Sequence, residues 1–451
     1  MKVVKFGGSS LANGPAIKQV LSIVKSDQER RVIVVSAPGK RNDDDIKVTD
    51  LLIRYANSVL EGRDYTAILN AIYQRYQEIG EYFHLPAEKL QEIRQILTKL
   101  AEKHYPNADY LLAAFKAYGE YLNARLITAI MNHVGIKTSF LSPRDVGLIV
   151  TGEPNNALVN PEAYLNLAQV KLNPDEKIVF PGFFGISPSG HIATFSRGGS
   201  DITGAILARG FKADLYENFT DVDAIYSANP KIVDHPRPIK KMTYREMREL
   251  SYAGFSVFHD EALIPTIQGQ IPVNVKNTQH PEKEGTWIVP EAGFRPEHVV
   301  TGVAGGTNFC ALYLHKYLLN QVPGFTLGVL QVLQRHNISY EHMPSAIDDI
   351  TIIFKKDYLN AQLIDQICDE IQKSVSPDQM RWIDDYAITM VVGEGMKDKL
   401  SLCASILAPL GKKDISIQMI NQGSSQISIM IGTRRNQAKE VISTIYQNFL
   451  A

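Results

Sequence analysis

Two glycine pairs, each beside a charged residue, have the residue types and spacing for phosphate chemistry. The first lies in segment 5–10, KFGGSS, between a strand-like run and a helical pattern. Adjacent glycines let the backbone approach a phosphate closely, and amides at the following helix N-terminus point at anions. The spacing matches neither a P-loop nor a dinucleotide fingerprint. A bare strand–Gly-Gly–helix junction is more often a tight turn, but Lys5 and the two hydroxyls favour a function.

The second glycine pair lies in segment 196–203, SRGGSDIT, again between a strand-like run and a helix. Asp201 falls in the first helical turn, where a simple N-terminal cap would explain it. Arg197 is harder to explain structurally, because a guanidinium beside a glycine turn can hold a carboxylate or phosphate bidentately. The two junctions together place one Lys, one Arg and one Asp around a possible phosphate site.

The elements that carry these junctions alternate between strand-like and helix-like patterns, which predicts an α/β fold with a largely parallel sheet. We predict strands at 2–6, 31–36, 137–141, 177–180, 191–195 and 214–217. Helices are predicted at 16–25, 48–60 and 110–133, with a helix-rich excursion at 65–103. Proline and glycine punctuate segment 281–296, which indicates a domain boundary.

Beyond that boundary the pattern nearly repeats, which suggests a duplicated small α+β domain. The first unit has predicted elements at 310–315, 325–336, 339–343, 349–354 and 360–374, in the order strand, helix, strand, strand, helix. The second has the same order at 387–392, 400–410, 415–420, 426–431 and 437–449. A βαββαβ domain ending in that last helix lacks a strand. We therefore predict that strand-like segment 298–304 completes the second sheet, with the first unit inserted within the second.

Bulk composition narrows the functional classes. A chain of 451 residues predicts two or three domains. Lys+Arg 47 against Asp+Glu 48 gives a net charge of -1, so neither nucleic acid nor an acidic membrane is an expected partner. The three cysteines have no zinc-ligand or redox spacing. No signal-peptide pattern or membrane-spanning apolar run is present, so the expected compartment is the cytoplasm.

Four motifs occur in one order along the chain: segments 5–10, 196–203, 220–226 (TDVDAIY) and 271–278 (IPVNVKNT). In this order they resemble the aspartate kinases of the amino-acid kinase superfamily. The resemblance implies a catalytic domain at 1–290, with a mostly parallel sheet sandwiched by helices. It also implies two ferredoxin-like βαββαβ ACT domains, at 305–384 and at 385–451. Such an enzyme moves the γ-phosphoryl group of MgATP onto the β-carboxylate of aspartate.

The resemblance also assigns roles to individual residues. Lys5 and Asp201 would be catalytic. The implied ATP site comprises Lys5, Gly7, Gly8, Ser9, Thr220, Asp221, Tyr226, Lys231, Ser256 and Val257. The implied aspartate site comprises Thr49, Glu120, Arg197, Ser200 and Asp201. Without the resemblance, the helical position of Glu120 would suggest a solvated surface residue. We find no metal-ligand cluster, so Mg²⁺ is expected to arrive with ATP.

Segment 339–349, SYEHMPSAIDD, resembles the effector loop of lysine-sensitive relatives. The implied allosteric residues are Val322, Gly324, Phe325, Tyr340, Glu341, Ser345 and Asp348. The resemblance thus implies feedback inhibition by lysine in a homodimer or dimer of dimers, at the first step of lysine, threonine and methionine biosynthesis. A simpler explanation is that these acidic side chains only solvate a strand turn.

Some positions depart from the family pattern. Lys231 stands where Arg is common, segment 258–260 (FHD) replaces a usual Leu-His-Pro, and the loop at 41–45 is unusually charged. Gln426 stands where an acid is frequent.

Three alternatives remain. A related kinase could phosphorylate acetylglutamate, glutamate or a nucleotide. A regulatory amino-acid-binding protein could carry an inactive kinase domain. A fusion with homoserine dehydrogenase is disfavoured, because no dinucleotide fingerprint is present.

Overall fold

The computed structural model describes residues 1–196, 198–255 and 260–450, and these residues form two compact units. The first unit contains 1–225, 238–248 and 260–294, and the second contains 226–237, 249–255 and 295–450. The sequence predicted one contiguous domain at 1–290, whereas segments 226–237 and 249–255 belong to the second unit. Hydrogen bonds hold the first of these segments in that unit: Val303 N donates to Ser227 O at 2.8 Å, and Arg237 N donates to Tyr446 Oη at 2.9 Å.

The largest sheet in the described part of the first unit has eight strands in the order β10-β12-β11-β9-β1-β2-β6-β3. All pairings in this sheet are parallel except that of β11 with β12. The strands of this unit are β1 Lys2–Phe6, β2 Arg30–Val35, β3 Thr138–Phe140, β4 Val150–Glu153, β5 Asn156–Val159, β6 Lys177–Pro181, β7 Phe184–Ile186, β8 Ile192–Thr194, β9 Leu215–Thr220, β10 Lys241–Thr243, β11 Val273–Asn277 and β12 Thr286–Val289.

Helices cover the sheet, so its central strands are buried on both faces. The buried runs of β1 and β2 (KVVKF and RRVIVV) are continuous rather than alternating, as expected for such strands. The helices that begin before residue 270 are α1 Gly14–Lys25, α2 Val48–Leu60, α3 Thr66–Tyr82, α4 Ala87–Leu100, α5 Ala108–His133, α6 Glu162–Gln169, α7 Gly199–Gly210, α8 Tyr244–Tyr252 and α9 Asp260–Gly269. Asn13 begins α1 by accepting a hydrogen bond from Ala16 N at 3.0 Å.

Two expectations for this unit need correction. The predicted strand at 191–195 forms β8, which pairs antiparallel with β7 in a separate hairpin instead of joining the parallel sheet. Segment 281–296, predicted to be a boundary, contains β12. Thr286 and Ile288 are fully buried in the eight-stranded sheet, so this part of the segment belongs to the sheet and not to a linker.

The second unit is built on a five-stranded sheet within residues 302–433, all of which are described, in the order β14-β13-β15-β17-β16. Its strands are β13 Gly302–His315, β14 Asp349–Lys355, β15 Gln379–Val392, β16 Ile417–Gln422 and β17 Ser428–Thr433. Its helices from residue 302 onward are α10 Phe325–Arg335, α11 Ala361–Val375, α12 Leu402–Gly411 and α13 Ala438–Phe449. The second half (β15, α12, β16, β17, α13) has the predicted element order, whereas the first half (β13, α10, β14, α11) has one strand fewer than predicted.

The long strands β13 and β15 each serve two halves of this sheet. Residues 309–315 of β13 pair with β14 and with the first half of β15. Residues 302–306 pair with 388–392 of β15, which in turn pairs with β17. Each half has its own apolar core: α10 and α11 cover the first core, whereas α12 and α13 cover the second.

Segment 339–343 was predicted to be a strand, and that prediction is wrong. The segment makes one isolated bridge to β14, from His342 to Ile353, and a second isolated bridge joins Ser345, just after it, to Ile350. Pro344 lies between the two bridges and has no N–H to donate, which prevents a continuous ladder.

Cys310, Cys368 and Cys403 are free thiols. Among the described helices, none combines the length and apolar character needed to cross a membrane.

Candidate active site

The candidate catalytic residues lie at the carboxyl-end edge of the parallel strands, with Lys5 one residue before the end of β1 and Asp201 in the first turn of α7. β1 is central in the sheet, with β9 on one side and β2 on the other. The chain therefore leaves β1 where the strand order reverses, and ligands of open α/β sheets bind in the crevice at such a point. The two glycine pairs predicted from the sequence follow β1 and β8, and the second pair begins α7.

Backbone hydrogen bonds tie the loops at this edge into one surface. Gly7 N donates to Phe219 O at 3.2 Å, and Gly39 N donates to Gly8 O at 2.8 Å. Further along the edge, Gly182 N donates to Val35 O at 3.0 Å. The loops after β1, β2, β6 and β9 are thereby held in fixed relative positions, which is a requirement for a preorganised site.

Lys5, Asp201 and Asn218 form a buried polar cluster at the centre of this edge. Lys5 Nζ lies 2.6 Å from Asp201 Oδ1, and Lys5 is 8% exposed. Asn218 Nδ2 donates to the same Asp201 oxygen at 2.8 Å, while its Oδ1 lies 3.4 Å from Lys5 Nζ. The structure thus brings together the two predicted catalytic residues and adds Asn218, which the sequence analysis missed.

Glycine at position 39 lets the loop after β2 approach the glycine turn that follows β1. A Cβ on Gly39 would lie 2.6 Å from the carbonyl group of Gly8, so only glycine fits there without backbone movement. Ser9 is exposed beside this contact. Ser10, behind it, shares a 2.7 Å hydroxyl–hydroxyl hydrogen bond with Thr278, the residue after β11.

A buried arginine, also missed by the sequence analysis, supports the charged loop that follows Gly39. Arg75 is 3% exposed and lies on α3. Its guanidinium donates to the carbonyls of Gly39 and Ile46, and its Nη1 is 2.9 Å from Asp45 Oδ2. A hydrogen bond from Arg41, together with the charge of Arg75, holds the pKa of Asp45 well below its usual range. The unusual charges at 41–45 therefore fix a loop beside the glycine turn.

Glu120, a predicted substrate residue, is only 6% exposed. Burial raises the pKa of its carboxyl group to about 8, although a backbone hydrogen bond from Ala37 and the charge of Lys116 favour the ionised form. Its Oε2 has no hydrogen-bond partner among the described residues. Glu120 thus offers a buried acceptor that lacks its own counter-ion contact, which is unusual unless a ligand supplies one.

Two other predicted substrate residues, Thr49 and Ser200, lie near the same edge. A Cβ on Gly119 would lie 2.8 Å from the Ala37 side chain and 3.9 Å from Thr49 Oγ1, so α5 lies close to Thr49. Ser200 is buried beside Gly182, where a Cβ would lie 2.6 Å from its Oγ. Lys116 was not predicted; its ammonium lies 5.7 Å from the centre of the Phe183 ring. Burial lowers the pKa of Lys116.

Thr220 and Asp221, both predicted to bind nucleotide, follow β9. Thr220 Oγ1 donates to Asp221 Oδ1 at 3.1 Å, and Thr278 N donates to Thr220 O at 2.9 Å. Asp223 nearby was not predicted. It accepts hydrogen bonds from Lys283, His280 and Asn277, in order of effect, and these hold its pKa well below its usual range.

The remaining nucleotide candidates divide into two groups. Tyr226 and Lys231 belong to the second unit, in segment 226–237, where Lys231 N donates to Asn229 Oδ1 at 2.9 Å. Arg197, Ser256 and Val257 lie outside the described residues, as does most of segment 258–260.

The predicted allosteric residues occupy two places in the second unit. Asp348 Oδ1 accepts from Leu318 N at 2.9 Å, next to the loop that carries Val322 and Gly324 and leads into α10 at Phe325. Glu341 lies near the other end of β14, with Oε1 3.5 Å from Lys355 Nζ and with its N donating to Ile353 O. Residue 353 is five positions beyond Asp348, or about 16 Å along a strand. Within one chain, Glu341 and Asp348 are therefore separated; Tyr340 adjoins the first and Ser345 lies between them.

Comparison with known proteins agrees with this geometry. Residues 1–277 match the amino acid kinase family, and residues 390–449 match the ACT domain. Over 451 aligned residues the chain is 46% identical to Aspartokinase 3 of Bacillus subtilis (strain 168), covering 100% of this chain and 99% of that protein. It is 25% identical to Aspartokinase 1, chloroplastic, of Arabidopsis thaliana, over 99% of this chain and 80% of that protein.

Solved structures give the same result. The crystal structure of Clostridium acetobutylicum aspartate kinase superposes with a TM-score of 0.85 at 34% identity, covering 100% of both chains. E. coli aspartokinase III in complex with aspartate and ADP superposes with a TM-score of 0.81 at 24% identity, over 99% of both chains, and supports the fold.

The parallel sheet, its glycine turns and the two family matches define an amino acid kinase joined to an ACT-domain regulatory region. Within that class, the 46% identity to an aspartokinase over the full length of the chain identifies the family. The chain belongs to the aspartate kinase family, enzymes that phosphorylate aspartate.

Proposed function

We propose that this chain transfers the γ-phosphoryl group of MgATP to the β-carboxylate of L-aspartate, forming 4-phospho-L-aspartate. The observation that carries the proposal is the buried Lys5–Asp201–Asn218 cluster at the strand-order reversal of the sheet. The proposed nucleotide residues are those predicted above, from Lys5 and the glycine turn to Thr220 and Asp221. The proposed aspartate residues are Thr49, Glu120, Arg197, Ser200 and Asp201.

The proposed mechanism needs no general base. The attacking β-carboxylate has a reference pKa of roughly 3.9, so it is already ionised at pH 7. The protein's task is to align two anions that repel each other. In this mechanism Lys5 places its ammonium beside the transferred phosphoryl oxygens, where it offsets developing negative charge. Asp201 and Asn218 hold that ammonium in place, and amides of the glycine turn donate to phosphate oxygens.

Glu120 fits recognition of the substrate ammonium. Burial raises the pKa of this carboxyl group to about 8, so it is mostly protonated at neutral pH. A cation that enters beside it lowers that pKa and favours the ionised form. Arg197 is proposed to hold the α-carboxylate bidentately, on the basis of its residue type and family motif. Among the described residues, no group of three His, Cys, Asp or Glu is placed to hold a metal ion. We therefore propose that Mg²⁺ enters with the ATP phosphates, and no step is assigned to a protein-bound ion.

The second unit supports a regulatory proposal. E. coli aspartokinase III has been crystallised with lysine and aspartate in a T-state, with a TM-score of 0.78 to this chain. We propose that 305–384 and 385–451, the latter completed by 298–304, are ACT domains and that lysine inhibits the enzyme. Because Glu341 and Asp348 lie at different ends of β14, one lysine can meet both only if they come from two chains. A homodimer, or a dimer of dimers, would provide that arrangement.

The proposed pathway position is the first committed step toward lysine, threonine and methionine, including the diaminopimelate branch. The free thiols fit a reducing compartment, and the cytoplasm is the proposed location.

Steady-state kinetics test the proposed reaction. The purified chain should form ADP from MgATP only when aspartate is present, and hydroxylamine should trap an acyl phosphate. Lys5→Ala should lower kcat at least tenfold, whereas Arg197→Lys should raise KM for aspartate more than KM for ATP, because an ammonium cannot reproduce the bidentate fork. Lys2→Ala is the matched control, since Lys2 lies on the same strand but pairs with Asp27 at 2.7 Å. Equal turnover with acetylglutamate, or none with aspartate, contradicts the proposal.

A further inference from the structure

A cavity lies in the first unit, along a face of α5 away from Glu120. Its volume is about 540 Å³, within the range of small-molecule sites. Tyr118, Tyr121 and Arg125 line it and recur at intervals of three and four residues, so they share one helix face. Glu120 is two residues from Tyr118, or about 200° around the helix, on a different face. None of the predicted catalytic or substrate residues lines this cavity.

Positive charge dominates the cavity wall. Lys103, Arg125 and Arg144 line it, and their hydrogen-bond partners in the described residues are all neutral. Lys103 Nζ donates to Tyr118 Oη at 2.5 Å, Arg125 Nη1 to Tyr121 Oη at 3.3 Å, and Arg144 Nη2 to Gly190 O at 2.7 Å. Three cations gathered from three separate parts of the chain, with no carboxylate partner, form a local field that attracts an anion.

One carboxylate, Asp145, is present among the described lining residues, against the three Lys and Arg cations. Its Oδ2 accepts hydrogen bonds from the N and the Oγ of Ser142, at 2.8 and 2.7 Å. Asp145 is thus occupied within its own turn. The described lining therefore keeps an excess of positive charge.

Aromatic rings supply the rest of the wall. Tyr118 and Tyr121 have ring centroids 5.1 Å apart, and Tyr121 meets Phe140 edge-on at 5.4 Å. The Arg125 guanidinium lies 5.8 Å from the Tyr121 centroid and 5.6 Å from the Phe140 centroid. Flat apolar rings beside guanidinium groups can stack against a planar ligand ring while the cations bind its charged group.

We propose that this cavity binds a small organic anion that carries a planar ring, with a phosphate or carboxylate group held by Arg125 and Arg144. Lys103 adds a third positive charge to the cavity wall. The size of the cavity suits a single small molecule, and its rings distinguish the proposed ligand from a simple inorganic anion. This site is independent of the phosphoryl-transfer proposal, because the two share no residue.

Isothermal titration calorimetry of the full chain tests the proposal, with saturating MgADP and aspartate present to occupy the candidate active site. Phenyl phosphate and 4-hydroxybenzoate are the two probes, and they distinguish a phosphate from a carboxylate ligand. At least one of them should bind at least tenfold more tightly than both inorganic phosphate and phenol. If neither probe binds more tightly than inorganic phosphate, the requirement for a ring is overturned, and no binding by either ring-bearing anion overturns the site.

Arg125→Gln and Arg144→Gln locate the binding. Each substitution should weaken the preferred probe at least tenfold, and the exposed position of Arg144 makes that variant compatible with folding. Arg94→Gln is the matched control, because Arg94 also lies over a tyrosine ring, at 5.2 Å from Tyr73, but does not line the cavity. Thermal melting confirms that each variant is folded. Unchanged affinity in both cavity variants, or an equal loss in Arg94→Gln, overturns the assignment.

Discussion

Lys5 and Asn218 face each other across adjacent parallel strands, as register partners of β1 and β9, although 213 residues separate them in the chain. Both side chains meet Asp201, which arrives from the N-terminal turn of α7. The ammonium that we assign to phosphoryl transfer is therefore positioned by a strand neighbour and by a helix terminus together. Removing either support should loosen the ammonium without removing its charge.

Asn218→Ala tests the role of the strand neighbour. The substitution removes a 2.8 Å hydrogen bond to Asp201 and a polar neighbour of Lys5. We expect kcat to fall about tenfold, equivalent to about 1.4 kcal/mol, with little change in KM for either substrate. Asn274→Ala is the matched control, since Asn274 is also buried in a neighbouring strand but its Oδ1 has no hydrogen-bond partner. A similar loss in both variants would indicate a general effect on the sheet.

Arg75→Met tests the buried support of the loop after Gly39. It leaves Asp45 without its 2.9 Å partner and removes donors from two backbone carbonyls. We expect the free energy of unfolding to fall by about 1–3 kcal/mol, because the carbonyls of Gly39 and Ile46 lose a donor while Asp45 keeps its contact with Arg41. KM for ATP should also rise, because the loop holds Gly39 against Gly8. Urea denaturation and kinetics measure the two effects, and Arg94→Met, at an exposed position, should show neither.

The site residues that could be predicted lie in local sequence motifs, whereas Asn218 and Arg75 depend on contacts between distant parts of the chain. Lys5 and Asp201 stand beside glycine pairs, so their chemistry is visible in six or eight consecutive residues. Asn218 lies within an otherwise ordinary strand, and its role depends on the register between β1 and β9. Arg75 is similar, because its partners lie 29 to 36 residues away in a loop.

Glu120 shows how packing changes the interpretation of a helix position. Its helical context alone suggested a solvated surface, yet the carboxyl group is buried. Gly119 allows this, since its missing side chain lets α5 approach Ala37 closely. At the scale of whole elements, strands such as β1 and helices such as α2 were predicted correctly. The hairpin of β4 and β5 was not predicted, because short exposed strands lack a buried period-two pattern.

The raised pKa of Glu120, about 8, predicts a specific pH dependence of stability. Between pH 5 and 8 the folded chain holds a proton on this group that the unfolded chain has released. Stability from this group is therefore fully present at low pH and is lost as pH rises toward 8. Relative to the wild type, the free energy of unfolding of Glu120→Gln should increase by at most about 1.4 kcal/mol for each unit that the pH rises across this window. Denaturation at pH 5, 6, 7 and 8 measures the trend, and a constant difference contradicts it.

The same group predicts proton release on substrate binding. If the aspartate ammonium enters beside Glu120, it should lower the carboxyl pKa and expel a proton at pH 7. Calorimetric titration of aspartate in buffers with different ionisation enthalpies counts the protons released. We expect close to one proton for the wild type and close to none for Glu120→Gln. Equal release by both proteins would place the ammonium elsewhere.

Inhibition by lysine should depend on the carboxylate of Glu341. Its Oε1 lies 3.5 Å from Lys355 Nζ, a long ion pair that a ligand ammonium can replace. If lysine favours a low-activity state, a tenfold inhibition needs about 1.4 kcal/mol of differential binding between the two states. Glu341→Ala should remove most of this differential binding energy, while turnover without lysine stays nearly the same. Glu370→Ala is the matched control, because Glu370 pairs with Arg335 at 2.9 Å between α10 and α11, away from the proposed effector loop. Rates with and without saturating lysine decide the outcome. Unchanged rates in the wild type reject lysine as the effector, and full sensitivity in Glu341→Ala rejects the site.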